Sequence, residues 1–345
     1  MTKQQTTELK GIALLLLLWH HLFFKSIGLY YDWHDIVNVS GMTCKCCVAL
    51  FVILSGYGLM VSCGKELNLK FFFVKRFTKL YLNYWFIWLL FVPVGIFFFG
   101  RTFDVVYGDA VIPNMLLDFL GLLNCRMLYG YNATWWFYSC IILLYLSFPL
   151  LRWIRLKCKV TFYVIIVLAL GFGLHPTHGY FLYPIKYYLF PFCLGMEMAI
   201  SGSKFRDVRL SDIMKFVLSL LFLALCVASR IGMQRNVLMI DSLIAFFIII
   251  SYLSIPLKSE TGIIRKILEF LGKHSFNIFL FHTFIFSLYF KEYTYSFGYP
   301  IAIFFILLLE CLGISIFIEF LKHFFRINKL ESVILKTVKS RYDSI

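Results

Sequence analysis

Apolar residues run along this chain in stretches of about twenty, broken by short polar segments. A run of that length matches a helix crossing the hydrocarbon core of a bilayer, about 20 residues at about 1.5 Å each. Ten spans are predicted, at about 11–29, 41–62, 78–99, 133–151, 160–174, 185–201, 213–229, 237–256, 268–289 and 299–321. The apolar piece at 113–124 is short for a span and reads as a re-entrant or interfacial helix. There is no internal repeat and no low-complexity linker. The fold class is therefore an all-α integral membrane protein, with one membrane domain over residues 1–325. A basic tail, 326–345, carries Leu330, Val333, Ile334 and Val338 at helical spacing and reads as a surface helix on anionic lipid.

Composition agrees with that pattern. The chain of 345 residues is 61% hydrophobic, more than a soluble domain needs, and the first apolar run lacks a small-residue cleavage site, so it reads as a retained span. A net charge of +15 raises the question of nucleic acid. The placement of the cations argues against it. With the N-terminus in the cytoplasm, the inner segments hold about 25 of the 33 Lys and Arg residues. An even number of spans then puts both termini inside. The outer loops carry Asp32, His34 and Asp35, then Asp104, Asp109 and Asp118, then His175 and His178. Most of the ten cysteines fall inside apolar spans, where cysteine behaves as a small hydrophobe. Cys44, Cys46 and Cys47 lack a second ligand pair at metal spacing, so no metal is expected.

Candidate chemistry begins in the first span, where five leucines lead to Trp19-His20-His21. Imidazoles in an apolar run are costly in lipid and mark a functional site. Lys10 and His21 are eleven residues apart, close to three helical turns, so they share one stripe about 16 Å long. His20 is rotated by about 100° from that stripe. An imidazole in an apolar site favours its neutral form, which suits a general base. Lys75, Arg76 and Lys79 form a basic patch before the third span, suited to phosphate oxygens. Ser55 and Gly56, near the inner end of the second span, permit close backbone approach. His282 lies about 21 Å along the ninth span, where it can orient an acceptor or pair with His20. Asp241, near the outer end of the eighth, can meet an acceptor or pair with Arg235. Asn132-Ala133-Thr134 matches the three-residue glycosylation pattern.

These features occur in an order that resembles the acyltransferase-3 superfamily, integral-membrane O-acyltransferases of bacterial surface glycans. The basic residue, ten residues, then His of its N-terminal signature is matched by Lys10 and His21. Its Phe-x-x-Ser-Gly element is matched by Phe51 to Ser55-Gly56 with one extra residue. The basic cluster corresponds to Lys75-Arg76-Phe77-Thr78-Lys79. A Trp-bearing segment running into Tyr-x-x-x-Pro corresponds to Thr134-Trp135-Trp136-Phe137 and Tyr145 to Pro149. Phe192-Cys193-Leu194-Gly195 and Leu271-Gly272 through Ser275 to His282 resemble the later elements. Lysine stands at position 10 where the family usually has arginine, so a bidentate contact does not transfer.

The resemblance implies transfer of an acyl group, most simply acetyl, from cytoplasmic acyl-CoA to a hydroxyl of a cell-surface or lipid-linked glycan, in a bacterial plasma membrane. No permanently bound cofactor is implied. His21 is the expected catalytic residue, as base or as acyl carrier, with Lys10 at the far end of its stripe. Lys75, Arg76, Lys79, Ser55 and Gly56 are the expected donor contacts. His20, Trp136, His282 and Asp241 are the expected acceptor contacts. The competing reading, a proton-coupled carrier, predicts internal repeats and broken helix pairs. The sequence sets no oligomeric state.

Overall fold

The computed structural model describes residues 1–24, 30, 34–64, 67–174, 183–206, 210–233, 237–255 and 262–343. His175, His178, Asp32 and Arg235, singled out above, lie outside them. Fifteen α-helices form the fold, and no strand occurs among the described residues. They are α1 (Lys3–Phe23), α2 (His34–Thr43), α3 (Cys46–Ser62), α4 (Leu69–Phe99), α5 (Phe103–Tyr107), α6 (Val111–Phe119), α7 (Trp136–Lys157), α8 (Lys159–Leu174), α9 (Tyr183–Arg206), α10 (Asp212–Met233), α11 (Leu238–Leu253), α12 (Ile263–Thr283), α13 (Lys291–Tyr295), α14 (Pro300–Phe324) and α15 (Ile327–Asp343).

Among the described residues, five helical segments are long and apolar enough to cross a membrane: His34–Ser62, Leu69–Phe99, Ala133–Lys157, Asp212–Met233 and Pro300–Phe324. The chain is a multi-pass membrane protein. Shorter apolar helices at Lys159–Gly171 and Leu238–Leu253 pack among them.

Several boundaries differ from the apolar pattern, each for a local reason. The first helix stops at Phe23, because Phe24 turns extended, six residues short of the predicted end at 29. The second span begins earlier, so His34 and Asp35 sit on the first turn of α2 and not in an outer loop. It is also interrupted at Cys44–Lys45. The third begins at Leu69, capped by the Asn68 side chain on Phe71 N at 2.9 Å, so the basic patch lies on α4 itself. The piece at 113–124 is α6 followed by a 3₁₀ turn, Leu123–Arg126.

α1 is the axis of the bundle. Its N-terminus is closed by a capping box between Thr2 and Gln5, and Leu9, Ala13, Leu14, Leu17, Leu18 and Leu22 are fully or almost fully buried. It packs along α12 and also touches α2, α3 and α14. α15 folds back against α4 and α14.

Candidate active site

Two glycines decide where the histidines meet. A Cβ on Gly11 would overlap the Leu268 carbonyl oxygen, and one on Gly272 would overlap that of Thr7, so the backbones of α1 and α12 touch there. The helices run in the same direction from that crossing. His21 and His282 each lie ten residues beyond their own glycine (21 − 11 and 282 − 272), so both arrive at the same depth. Their ring centroids are 4.9 Å apart, tilted by 56°. His282 thus pairs with His21, and not with His20 as the sequence allowed.

Hydrogen bonding fixes two of the three imidazoles. His282 is fully buried, and its Nδ1 lies 3.0 Å from both the Ile278 and Phe279 carbonyl oxygens. Carbonyls only accept, so Nδ1 carries the proton and Nε2 presents a lone pair. Nε2 is buried without a hydrogen-bond partner. His20 Nδ1 donates to the Gly41 carbonyl at 2.8 Å, which holds His20 on α2. His21 faces a small cavity lined by Leu17, Val48, Phe51, Thr134, Trp136, Phe137 and Phe279. Immediately after His282 and Thr283, α12 loosens into a π-helical turn, Phe284–Tyr289. Such turns recur at functional sites.

The cavity wall is held by a residue to which the sequence reading gave no role, Asn132. Asn132 is buried, and its Oδ1 accepts from Thr134 N at 2.9 Å, Thr134 Oγ1 at 2.7 Å and Thr283 Oγ1 at 2.9 Å. The Asn132 amide and the Trp135 indole both donate to the Leu280 carbonyl, at 3.3 and 2.9 Å. Asn132 therefore pins the 132–136 segment to α12 beside His282. Its side chain is saturated inside the protein, which removes the glycosylation reading. The signal lay in the adjacent Trp135-Trp136, since an Asn cap before two tryptophans marks a packed turn.

The other end of the Lys10–His21 stripe is basic. Lys10 faces the cations of Lys79 and Arg76. Arg76 Nη2 donates to Ser62 Oγ, and the Lys75 ammonium lies over the Phe71 ring. Ser55 and Arg76 both lie near the Tyr145 hydroxyl. Gly56 instead faces α9, where a Cβ would overlap the Phe192 carbonyl oxygen, so it serves helix packing. Asp241 is buried in an ion pair with Arg230 at 2.7 Å and does not line the cavity. Its partner lies on α10, one helix earlier in the chain.

Comparison with known proteins places this arrangement. The acyltransferase-domain model of the acyltransferase-3 family matches residues 9–320. The acyltransferase MdmB of Streptomyces mycarofaciens is 30% identical over 117 residues, 33% of this chain and 29% of that relative, so the match spans under a third of the relative's length. No solved structure matches. The family match takes in α1 through most of α14, and with them Lys10, His21, the α4 patch, Trp136 and His282. The chain belongs to the acyltransferase-3 family.

Proposed function

We propose that the protein is a membrane O-acyltransferase that moves an acyl group, most simply acetyl, from acyl-CoA on the cytoplasmic side to a hydroxyl of a cell-surface or lipid-linked glycan. The observation that carries this reading is one helix with a basic cluster at one end and His21 opening on a cavity at the other. The donor's phosphates sit near Lys10, Lys75, Arg76 and Lys79, within reach of Ser55 and Tyr145. The pantetheine arm, about as long as the 16 Å stripe, brings the thioester to His21. The ten-span topology, with both termini cytoplasmic and residues 326–345 as a surface tail, belongs to the same reading. The parallel run of α1 and α12 agrees with their positions as first and ninth spans.

In the proposed reaction His21 takes the proton of the acceptor hydroxyl as its oxygen attacks the thioester carbonyl carbon. The carbon–sulfur bond breaks, the thiolate leaves, and the proton passes from His21 to sulfur. The products are the glycan ester and free CoA thiol. The lone pair on His282 Nε2, next to the His21 ring, stabilises the imidazolium that forms on His21. The apolar walls Leu17, Val48, Phe51 and Phe279 exclude water, which would otherwise take the acyl group.

The test uses purified protein in detergent with acetyl-CoA. His21→Ala abolishes both acceptor-independent hydrolysis and acetyl transfer while the protein still inserts and stays helical. Normal turnover in that variant overturns the mechanism. Loss in His20→Ala with retention in His21→Ala moves the base to the neighbouring ring.

A further inference from the structure

We propose that Val48 fixes the length of the acyl group, so that a two-carbon chain is accepted and longer or charged chains are turned away. This rests on the acyltransferase reading above and narrows its donor to one class, acetyl thioesters. The determinant is the wall of the His21 cavity on the side away from the basic cluster.

Three helices bring one stripe each to that cavity. On α1, Leu17 stands one turn before His21, on the line that begins at Lys10. On α3, Val48 precedes Ser55 by seven residues (55 − 48), about 10 Å at about 1.5 Å per residue. On α7, Trp136 precedes Tyr145 by nine (145 − 136), about 14 Å. Ser55 and Tyr145 lie near Arg76, at the basic end. Val48 and Trp136 therefore stand about two turns farther from that end, and Thr134, in the turn leading into α7, joins them in the lining. A thioester arriving along the Lys10–His21 stripe presents its carbonyl at His21 and points its acyl chain at these three side chains.

That wall has no slack. Thr134 N and Oγ1 donate to Asn132 Oδ1 at 2.9 and 2.7 Å, and Thr134 Oγ1 lies 3.1 Å from Thr283 Oγ1. The Trp136 ring packs on Tyr188 with centroids 5.4 Å apart and on Phe137 at 5.8 Å. Val48 is buried and, branched at Cβ within a helix, keeps essentially one rotamer. The free volume is about 10 Å³, room for about one water-sized group. Acetyl places one methyl beyond its carbonyl carbon and fills that space. Propionyl adds a methylene that must displace Val48, Thr134 or Trp136, and one extra methylene in an unyielding apolar site lowers the rate about 10- to 200-fold. Among the described residues that line the cavity, His21 is the one ionisable group, so the free carboxylate of a dicarboxylic acyl group is buried there without a cation. Thr134 and Trp136 belong to the segment pinned to α12, whereas the Val48 side chain carries no polar group. Trimming Val48 enlarges the space and leaves the hydrogen-bonded wall intact.

The test uses the purified protein in detergent with acetyl-, propionyl-, butyryl- and succinyl-CoA, and reads the release of CoA by chromatography. The wild type loses at least tenfold in kcat/KM with each added carbon and does not turn over succinyl-CoA. Val48→Ala raises the butyryl-to-acetyl ratio at least tenfold. Ile53→Ala, trimmed at a residue of α3 buried in a separate cluster with Leu9 and Ile249, keeps the wild-type ratio. Abundance and melting temperature confirm that both variants fold. Butyryl-CoA used as fast as acetyl-CoA by the wild type overturns the length limit, and that arm needs no variant. A folded Val48→Ala protein with the wild-type ratio overturns the assignment to Val48. An equal shift in Ile53→Ala overturns it too, since a general loosening of α3 then accounts for both. Release of CoA from none of the four donors overturns the acyltransferase reading itself, and the length limit falls with it.

Discussion

α12 carries two buried polar clusters five residues apart, and they are built in opposite ways. Around Asn277, every group is used. Lys322 Nζ donates to Asn83 at 2.5 Å, Asn277 at 2.8 Å and Glu319 at 2.9 Å, and the Asn277 amide donates to Glu319 at 2.7 Å and Ser315 at 3.3 Å. All three ammonium protons are placed. Around His282, by contrast, only Nδ1 is used, and Nε2 has no hydrogen-bond partner among the described residues, with the His21 ring centroid 4.9 Å from its own. A saturated network rigidifies, whereas a half-satisfied one is costly and is retained for chemistry. The comparison sets helix-to-helix glue apart from the proposed reaction centre on a single helix, with no reference to motifs.

The sharpest way to break that division is His21→Ala. It lowers transfer by roughly 10²–10⁴-fold, the usual contribution of an acid–base group, and leaves the melting temperature in detergent near wild type. His282→Phe keeps the volume and removes the lone pair. It slows turnover about 10- to 100-fold with little change in donor KM, since a partner that supports the base acts on the step and not on binding. Lys322→Met inverts the pattern. It costs about 1–3 kcal/mol of stability by leaving Asn277 and Glu319 short of a donor, while turnover per folded molecule is retained. Thermal unfolding paired with a turnover assay checks both. A Lys322→Met enzyme that is stable but inactive would merge the two clusters.

The smallest effect is expected at Asp118, on the short helix α6. Burial pushes its carboxyl up to about 6, against the opposing hydrogen bonds from Tyr131 N and Tyr107. The folded form therefore holds its proton to higher pH than the unfolded chain, whose carboxyl titrates near 3.8. Stability is greatest below that range and falls as pH rises from about 4 to about 6. Asp118→Asn removes this slope. A series of detergent melts between pH 4 and 7 measures it.

Much of this was legible beforehand. Three-turn spacing alone put Lys10 and His21 on one stripe, because helical periodicity is local. The meeting of His21 with His282 was not legible, because it depends on which glycines of two distant helices touch. Leu271-Gly272 could be matched as a motif without showing that Gly272 sets the height of a residue ten positions later. Asp241 was expected to meet an acceptor or to pair with Arg235, and it pairs with Arg230 instead. The choice between Arg230 and Arg235 turns on how α10 faces α11, which no single-chain pattern encodes. The role of Asn132 was not legible, because a three-residue match carries no information on burial. Among the described residues five membrane-length helices emerge on length and hydropathy, fewer than the apolar runs predicted, because α8 and α11 are short and α1, α9 and α12 carry charged or imidazole groups.

The glycine crossing of α1 and α12 also acts as a hinge pin with no play. Where side chains separate two helices, rotamer changes let the axes drift by fractions of an ångström. Here main chain rests on main chain, so the helix axes that carry the two imidazoles ten residues away have little room to drift at the crossing. Heating should therefore loosen the largely exposed helix α10 long before it separates the two rings.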